Sequence, residues 1–180
     1  MLYRKIESLI EEHLKSDSAK ILLIDGARQV GKTTMLKKIT KDIRYATLDD
    51  VIVRASAEEQ SGTFFKDNPP PVFVDEIQKA PVLFEQIKMY IDRDNKKGQF
   101  YMCGSQQFKM MKGVSESLSG RIGLMTLLGY SLREIKDVDF NTPFIPTDEY
   151  FAERKKCLAD VDYDEVWNIL HRGSMPELCE

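Results

Sequence analysis

One segment near the N-terminus, Gly26-Ala-Arg-Gln-Val-Gly31-Lys32-Thr33-Thr34, fills the pattern G-x-x-x-x-G-K-[ST] and constrains the fold more than any other part of the chain. The apolar run Ile21-Leu-Leu-Ile24 precedes it, and a helix-like run from Thr33 to Lys41 follows. Strand, loop and helix in that order form the setting a phosphate-binding loop requires. Gly26 and Gly31 let the backbone curl. Successive N–H groups, from Ala27 through Arg28, Gln29 and Val30 to Thr34, then turn inward at a β-phosphate, with the helix N-terminus behind them. Lys32 can reach the β- and γ-phosphates, and the Thr33 hydroxyl can complete the shell of a Mg²⁺ ion. The pattern implies that a nucleoside triphosphate binds here. The bland alternative is a Gly-Lys-Thr loop that only turns the chain, and the flanking strand and helix weigh against it.

The second informative segment is Pro71-Val-Phe-Val-Asp75-Glu76, an apolar strand ending in two carboxylates. Asp75 at the strand tip can hold the metal shell beside Thr33, usually through water. Glu76 would point to the other side and could polarise the water that attacks the γ-phosphate. Two acids capping the next helix would explain the same residues without chemistry. The position after a good phosphate loop favours the functional reading.

Two later sites carry weaker signals. Tyr101-Met-Cys-Gly104-Ser105-Gln106-Gln107 places polar residues directly after another strand, where parallel sheets bind their ligands. Ser105 or Gln106 is therefore placed to sense the γ-phosphate or hold the attacking water, unless the segment is simply a polar turn. In Ser117-Leu-Ser-Gly120-Arg121, the arginine is either a surface charge or a finger aimed at the γ-phosphate of a neighbouring subunit. Arg28 and Arg133 compete for similar roles. Asp49-Asp50 is expected to cap the following helix, with metal contact as the lesser alternative.

The remaining pattern alternates strands with helices. Helical spacing covers residues 1–15 and 51–61, and Pro81 opens a helix through Ile91. Strands are expected at Ile43–Leu48, Val72–Val74, Phe100–Cys103 and Ile122–Leu128, with a short helix between Lys109 and Leu118. Alternation of this kind implies an α/β fold with a parallel sheet covered on both faces, a three-layer architecture. From about Lys136 the character changes to a proline-containing loop over 137–146, then helical stretches near Asp148–Ala159 and Tyr163–His171. The expected organisation is a core over 1–136 and a helical extension over 137–180, the start of a C-terminal region that continues elsewhere.

Composition bounds the class. With 26 Lys plus Arg against 29 Asp plus Glu, the net charge is −3. An electrostatic nucleic-acid grip would show as a basic excess, so such a role needs a local patch or another domain. No apolar run approaches the ~20 residues of a membrane span, and the N-terminus lacks a signal-peptide core. Cys103, Cys157 and Cys179 are scattered without metal-type spacing, which together points to a cytoplasmic protein with reduced thiols. No Asn-Lys-x-Asp string of the guanine-reading kind occurs.

With these elements in place, the chain resembles a prokaryotic group of AAA-type P-loop ATPases. The resemblance rests on Gly26–Thr34, Asp75-Glu-Ile-Gln78 and Gly104-Ser105, and continues through Leu118-Ser-Gly-Arg121, Tyr130-Ser-Leu-Arg-Glu134 and Arg172-Gly-Ser-Met-Pro-Glu177. It implies a five-stranded parallel sheet in which the Ser105 strand separates the Gly26 and Asp75 strands. It implies ATP and Mg²⁺ as ligands, and the roles described above for Lys32, Thr33, Asp75 and Glu76. It also implies a longer protein whose C-terminal region engages a nucleic acid or protein partner. The last forty residues show no clear helical lid with its own sensor arginine, a departure from wider AAA relatives. Three activities fit the residues: an ATPase driving a conformational switch, a module that holds nucleotide without hydrolysing it, and a small-molecule kinase. Glu76 argues against the third.

Overall fold

Apolar runs buried on both sides build the three central strands of the sheet, and its two edge strands are partly exposed. β1 (Ile21–Gly26), β2 (Arg44–Thr47), β3 (Val72–Asp75), β4 (Phe100–Ser105) and β5 (Ile122–Thr126) are all parallel, in the order β2-β3-β4-β1-β5. The computed structural model describes residues 4–15, 20–94, 96–105, 118, 120–158 and 160–179. Side chains alternate across the sheet. Ile21, Leu23, Val72, Val74, Phe100 and Met102 enter one core, while Leu22, Ile24, Phe73, Tyr101 and Cys103 enter the other. Near-continuous apolar strands of this kind belong in a parallel sheet covered by helices on both faces.

On one face lie α1 (Ile6–Lys15) and α2 (Lys32–Ile39), which contribute Ile10, Met35 and Leu36. The other face is covered by α3 (Val51–Glu59), α4 (Ser61–Asp67) and α5 (Leu83–Asp94), which contribute Ala57, Phe64, Phe65, Ile87 and Ile91. The fold is thus the expected three-layer α/β arrangement, with the Ser105 strand between the Gly26 and Asp75 strands. Because α2 leaves β1 on one face and α5 follows β3 on the other, a crevice opens at the carboxyl ends of the strands between them.

The structure refines several boundaries. The helix expected over 51–61 is two helices, broken at Gln60, whose φ of −124° and ψ of 37° leave the helical region. The seven residues of α4 are too few for a period to show, yet Phe64 and Phe65 are almost wholly buried. Asp50 caps α3 by accepting from Ile52 N at 2.8 Å and Val53 N at 3.2 Å, whereas Asp49 instead pairs with Lys79. β5 stops at Thr126: Leu127 N donates the last ladder bond, to Asp25 O at 2.8 Å, and the Leu128 carbonyl then accepts from Arg4. The expected helix at Lys109–Leu118, apart from Leu118 itself, lies outside the described residues.

Beyond β5, α6 (Leu132–Ile135) opens with a capping box between Ser131 and Glu134. The Glu134 carboxylate also meets Arg4 Nε at 3.3 Å, so the two ends of the 4–135 segment close on each other. Residues 137–146 are irregular, and α7 (Asp148–Lys156), α8 (Tyr163–Arg172) and α9 (Pro176–Cys179) follow. The linker between α8 and α9 folds back on the core: Tyr130 N donates to Ser174 O at 2.6 Å, and Met175 packs against the α1–α2 side of the sheet. Among the described residues no helix is long and apolar enough to cross a membrane.

Candidate nucleotide site

The sheet being parallel, β1, β3 and β4 deliver Gly26, Asp75 and Ser105 to one edge, and register pairs Gly26 with Ser105 and Asp75 with Cys103. The loop after β1 takes conformations suited to glycine. Gly26 has φ 149° and lies so close to the Leu127 carbonyl that a Cβ there would collide with it. Gly31 has φ 91° and starts α2, and Gln29 adopts φ 63° although it is not glycine. A non-glycine residue in the left-handed region costs about 1 kcal/mol, a cost that persists only where the surroundings fix it. Lys32 is buried, and its Nζ donates to Gly26 O at 3.0 Å and Ala27 O at 2.7 Å, across the mouth of the loop.

From the first turn of α2, Thr33 Oγ1 donates to Asp75 Oδ1 at 3.1 Å. Asp75 is 5% exposed and heavily solvated by protein donors. Its Oδ1 also accepts from Cys103 Sγ at 2.6 Å and Glu76 N at 3.1 Å, while Tyr45 Oη donates to Oδ2 at 2.9 Å. Burial, and then the neighbouring Asp75 charge, push the Cys103 thiol well above its ordinary range. The thiol therefore stays protonated and serves as a donor. Partial burial, on a side chain still 38% exposed, and then the bond to Asp75 push Tyr45 up to about 12.

Glu76 follows in the left-handed region, φ 56° and ψ 42°, and opens the 3₁₀ turn Ile77–Lys79. That turn reverses the chain sharply, so Asp75 stays in the sheet while Glu76 faces the cleft. The cleft has a volume of about 530 Å³ and is bordered by Arg28, Gln29, Lys32, Thr33, Glu76 and Pro176 among others. Gln78 Nε2 donates both to Glu76 Oε2 and, at 3.1 Å, to Ser105 Oγ.

The structure thus gathers the loop residues, Asp75, Glu76 and Ser105 at one edge. It does not bring Arg121 there: this residue precedes β5 at the opposite edge and pairs with Asp92 at 2.7 Å. Arg133 is also elsewhere, donating to the Phe140 carbonyl, so of the three arginines only Arg28 lines the cleft. Gln106, Gln107, Ser117 and Ser119 lie outside the described residues. Tyr45, Cys103 and Pro176 carry no signal for this site in the sequence, whereas Asp49, the lesser candidate for metal contact, does border the cleft. The parallel register that pairs Cys103 with Asp75 and Thr47 with Asp75 is the signal that would have drawn in the neighbouring strands.

The donor set can be tested against a metal. Thr33 and Asp75 offer hard oxygen atoms, and no group of three or more His, Cys, Asp or Glu able to hold a metal occurs among the described residues. Such a set fits Mg²⁺, which keeps several waters and shares its shell with phosphate oxygens.

A five-stranded parallel sheet with this loop at its carboxyl edge defines a P-loop nucleoside triphosphatase fold. The family model described as "AAA domain" matches residues 18–136, and the chain belongs to that family. Two curated relatives are the uncharacterized proteins Rv2008c of Mycobacterium tuberculosis and Mb2031c of Mycobacterium bovis. Each is 30% identical over 118 residues, covering 65% of this chain and 27% of theirs. The matched part therefore spans about a quarter of the relatives' length. Among solved structures, RuvB of Thermotoga maritima superposes with a TM-score of 0.50 at 17% identity, over 76% of this chain and 49% of that one. Domain III of the replication initiation protein DnaA from the same organism gives 0.49 at 16% identity, over 76% and 68%.

Proposed function

We propose that this domain binds Mg²⁺–ATP and hydrolyses it, and that the nucleotide state acts as a switch for an attached effector or partner. The observation that carries the reading is the 3.1 Å contact between Thr33 and Asp75, with Glu76 lining the same cleft as Lys32. In this reading the amides of Gly26, Ala27, Arg28, Gln29, Val30, Gly31, Lys32, Thr33 and Thr34 cradle the phosphates. Lys32 leaves the loop carbonyls and turns to the β- and γ-oxygens. Thr33 and Asp75 hold the metal, which when bound neutralises charge on the phosphate oxygens. Glu76 accepts a proton from the attacking water, and the Ser105 hydroxyl donates to the γ-phosphate.

Arg121 belongs to this proposal only in trans. At the far edge it is out of reach of its own cleft, and in the trans reading it exchanges its pairing with Asp92 for the γ-phosphate in a second copy. Loss of the γ-phosphate would free Ser105 from its contact, and so change what the domain presents to a partner. A core over 1–136 with an extension over 137–180 that leads into a partner-binding region fits the longer relatives. That partner is a protein or a nucleic acid. The three cysteines are free, in keeping with a cytoplasmic protein. Steady-state phosphate release from ATP tests the reading. It requires turnover that depends on Mg²⁺ and is lost in Lys32→Ala. Turnover that is absent, or that survives in Lys32→Ala, refutes it.

A further inference from the structure

One side chain at the site has no part in the account above. Gln78 sits on the 3₁₀ turn after Glu76, and its single amide nitrogen donates to both Glu76 Oε2 and Ser105 Oγ, the latter at 3.1 Å. An amide nitrogen carries two hydrogens, so both bonds can form at once, and each fixes the other. The orientation follows from the neighbours: a reversed amide would set its carbonyl against the Glu76 carboxylate. Gln78 Oε1 is buried, has no hydrogen-bond partner among the described residues, and lies against Gly104. A Cβ at Gly104 would run into that oxygen. A buried acceptor without a protein partner is unfavourable, so the two bonds donated by the amide nitrogen are what hold the side chain here.

The direction of the bonds matters. Ser105 Oγ accepts from Gln78, which leaves its own hydrogen free to donate outward. Glu76 accepts, which suits a carboxylate acting as a base. The order is therefore Ser105 hydroxyl, Gln78 amide, Glu76 carboxylate, running across the tips of β4 and β3.

We propose that Gln78 is a positioning residue: its amide locks the Glu76 carboxylate to the Ser105 hydroxyl, so that the group contacting the γ-phosphate and the base for the water move as one unit. Gly104 is glycine to make room for that amide. The inference rests on the hydrolytic reading above and deepens it. In this account Gln78 acts only through Glu76 and Ser105, not on the phosphate or the water. Its removal therefore lowers kcat and leaves ground-state binding of ATP alone.

The test uses the full chain and compares wild type with Gln78→Met, Gln78→Ala, Gly104→Ala and the Gln78→Met/Gly104→Ala double variant. Methionine preserves the volume beside Gly104 and removes both donors. Gln78→Met is expected to lower kcat about 10–100-fold, with KM for ATP within about threefold of wild type. Gly104→Ala is expected to do the same by displacing the amide, and the double variant to be no slower than either single one. Thermal melts confirm that each variant is folded. A Gln78→Met protein with wild-type kcat overturns the proposal, whether or not Gln78→Ala is slow, because volume alone would then suffice. A variant faster than wild type overturns it too, since Gln78 would be restraining Glu76. If wild type itself fails to hydrolyse ATP, the reading under Proposed function falls and takes this one with it. If wild type turns over and Glu76→Gln does not, while Gln78→Met is normal, only the positioning role falls.

Discussion

Thr33 Oγ1 donates a hydrogen bond to Asp75 Oδ1 across 3.1 Å, joining residues forty-two positions apart in the sequence. Thr33 opens the helix that follows β1, Asp75 ends β3, and β4 lies between those two strands. The contact forms because the first turn of α2 leans over the end of β4, where Thr33 Oγ1 comes within 3.8 Å of Cys103 Sγ. In the proposed reading this hydroxyl and carboxylate hold the metal beside Lys32, which turns to the phosphates.

This arrangement separates nucleotide binding from metal binding. Ligand at about 100 times its dissociation constant stabilises a fold by ~2.7 kcal/mol. The wild-type melting temperature should rise with ATP and rise further with Mg²⁺. In Asp75→Asn and Thr33→Ala the Mg²⁺ increment should disappear, while in Lys32→Ala the ATP shift itself should vanish. Differential scanning fluorimetry reads all three. A Mg²⁺ increment intact in Asp75→Asn would remove that residue from the metal site.

Gly26 is where the loop meets the β5 edge of the sheet most closely. An alanine there meets the backbone carbonyl of Leu127, which cannot swing aside as a side chain can, and φ is 149°. Gly26→Ala is expected to destabilise the domain by about 1–3 kcal/mol. The urea midpoint should fall while the slope stays unchanged. An unaltered midpoint would show that the loop has slack the structure does not suggest.

The contact between Arg4 and Glu134 ties the segment before α1 to the segment after β5. Their side chains are only 3% and 8% exposed. Removing one partner of a buried pair strands the other charge, at about 3–5 kcal/mol. Glu134→Ala should lower the denaturation midpoint by that order, whereas Asp50→Ala, which loses only the cap of α3, should cost about 1 kcal/mol. Equal losses would contradict the distinction.

Tyr45 gives a pH signature. Held protonated by burial and by Asp75, it titrates at about 12, above the ordinary value of 10. Between these values the folded form keeps a proton that the unfolded form has lost. Its stabilising effect is therefore fully present below about pH 10 and declines as pH rises towards 12. A tyrosinate absorbance titration should show one fewer late-titrating tyrosine in Tyr45→Phe, with Tyr101, also raised by burial, still late. An amplitude lost near pH 10 in Tyr45→Phe, with the late-titrating component unchanged, would count against the Tyr45–Asp75 bond.

Local patterns made much of this legible from sequence. The loop, its lysine and threonine, and an apolar strand ending in Asp75-Glu76 are short contiguous signals with a chemical reason for each residue. The parallel sheet followed from strands alternating with helices, and its strand order followed from the family resemblance. What sequence hid depends on register or on long-range folding. Tyr45 and Cys103 reach Asp75 only because β2 and β4 flank β3. Gln78 turns back to Ser105 because Glu76 takes a left-handed conformation, which nothing in a Glu-Ile-Gln string announces. Pro176 reaches the cleft because Ser174 and Met175 fold onto the core from more than forty residues away. Arg121 looked equivalent to Arg28 in sequence, and only the direction of β5 places it at the other edge.

The central claim is that Glu76 activates water against a nucleotide held by Lys32 and the loop. Steady-state phosphate release by wild type and Glu76→Gln under saturating Mg²⁺–ATP tests it most directly. The account predicts a fall of about 10²–10⁴ in kcat for the variant, with ATP affinity retained. Turnover by Glu76→Gln equal to that of wild type would contradict it.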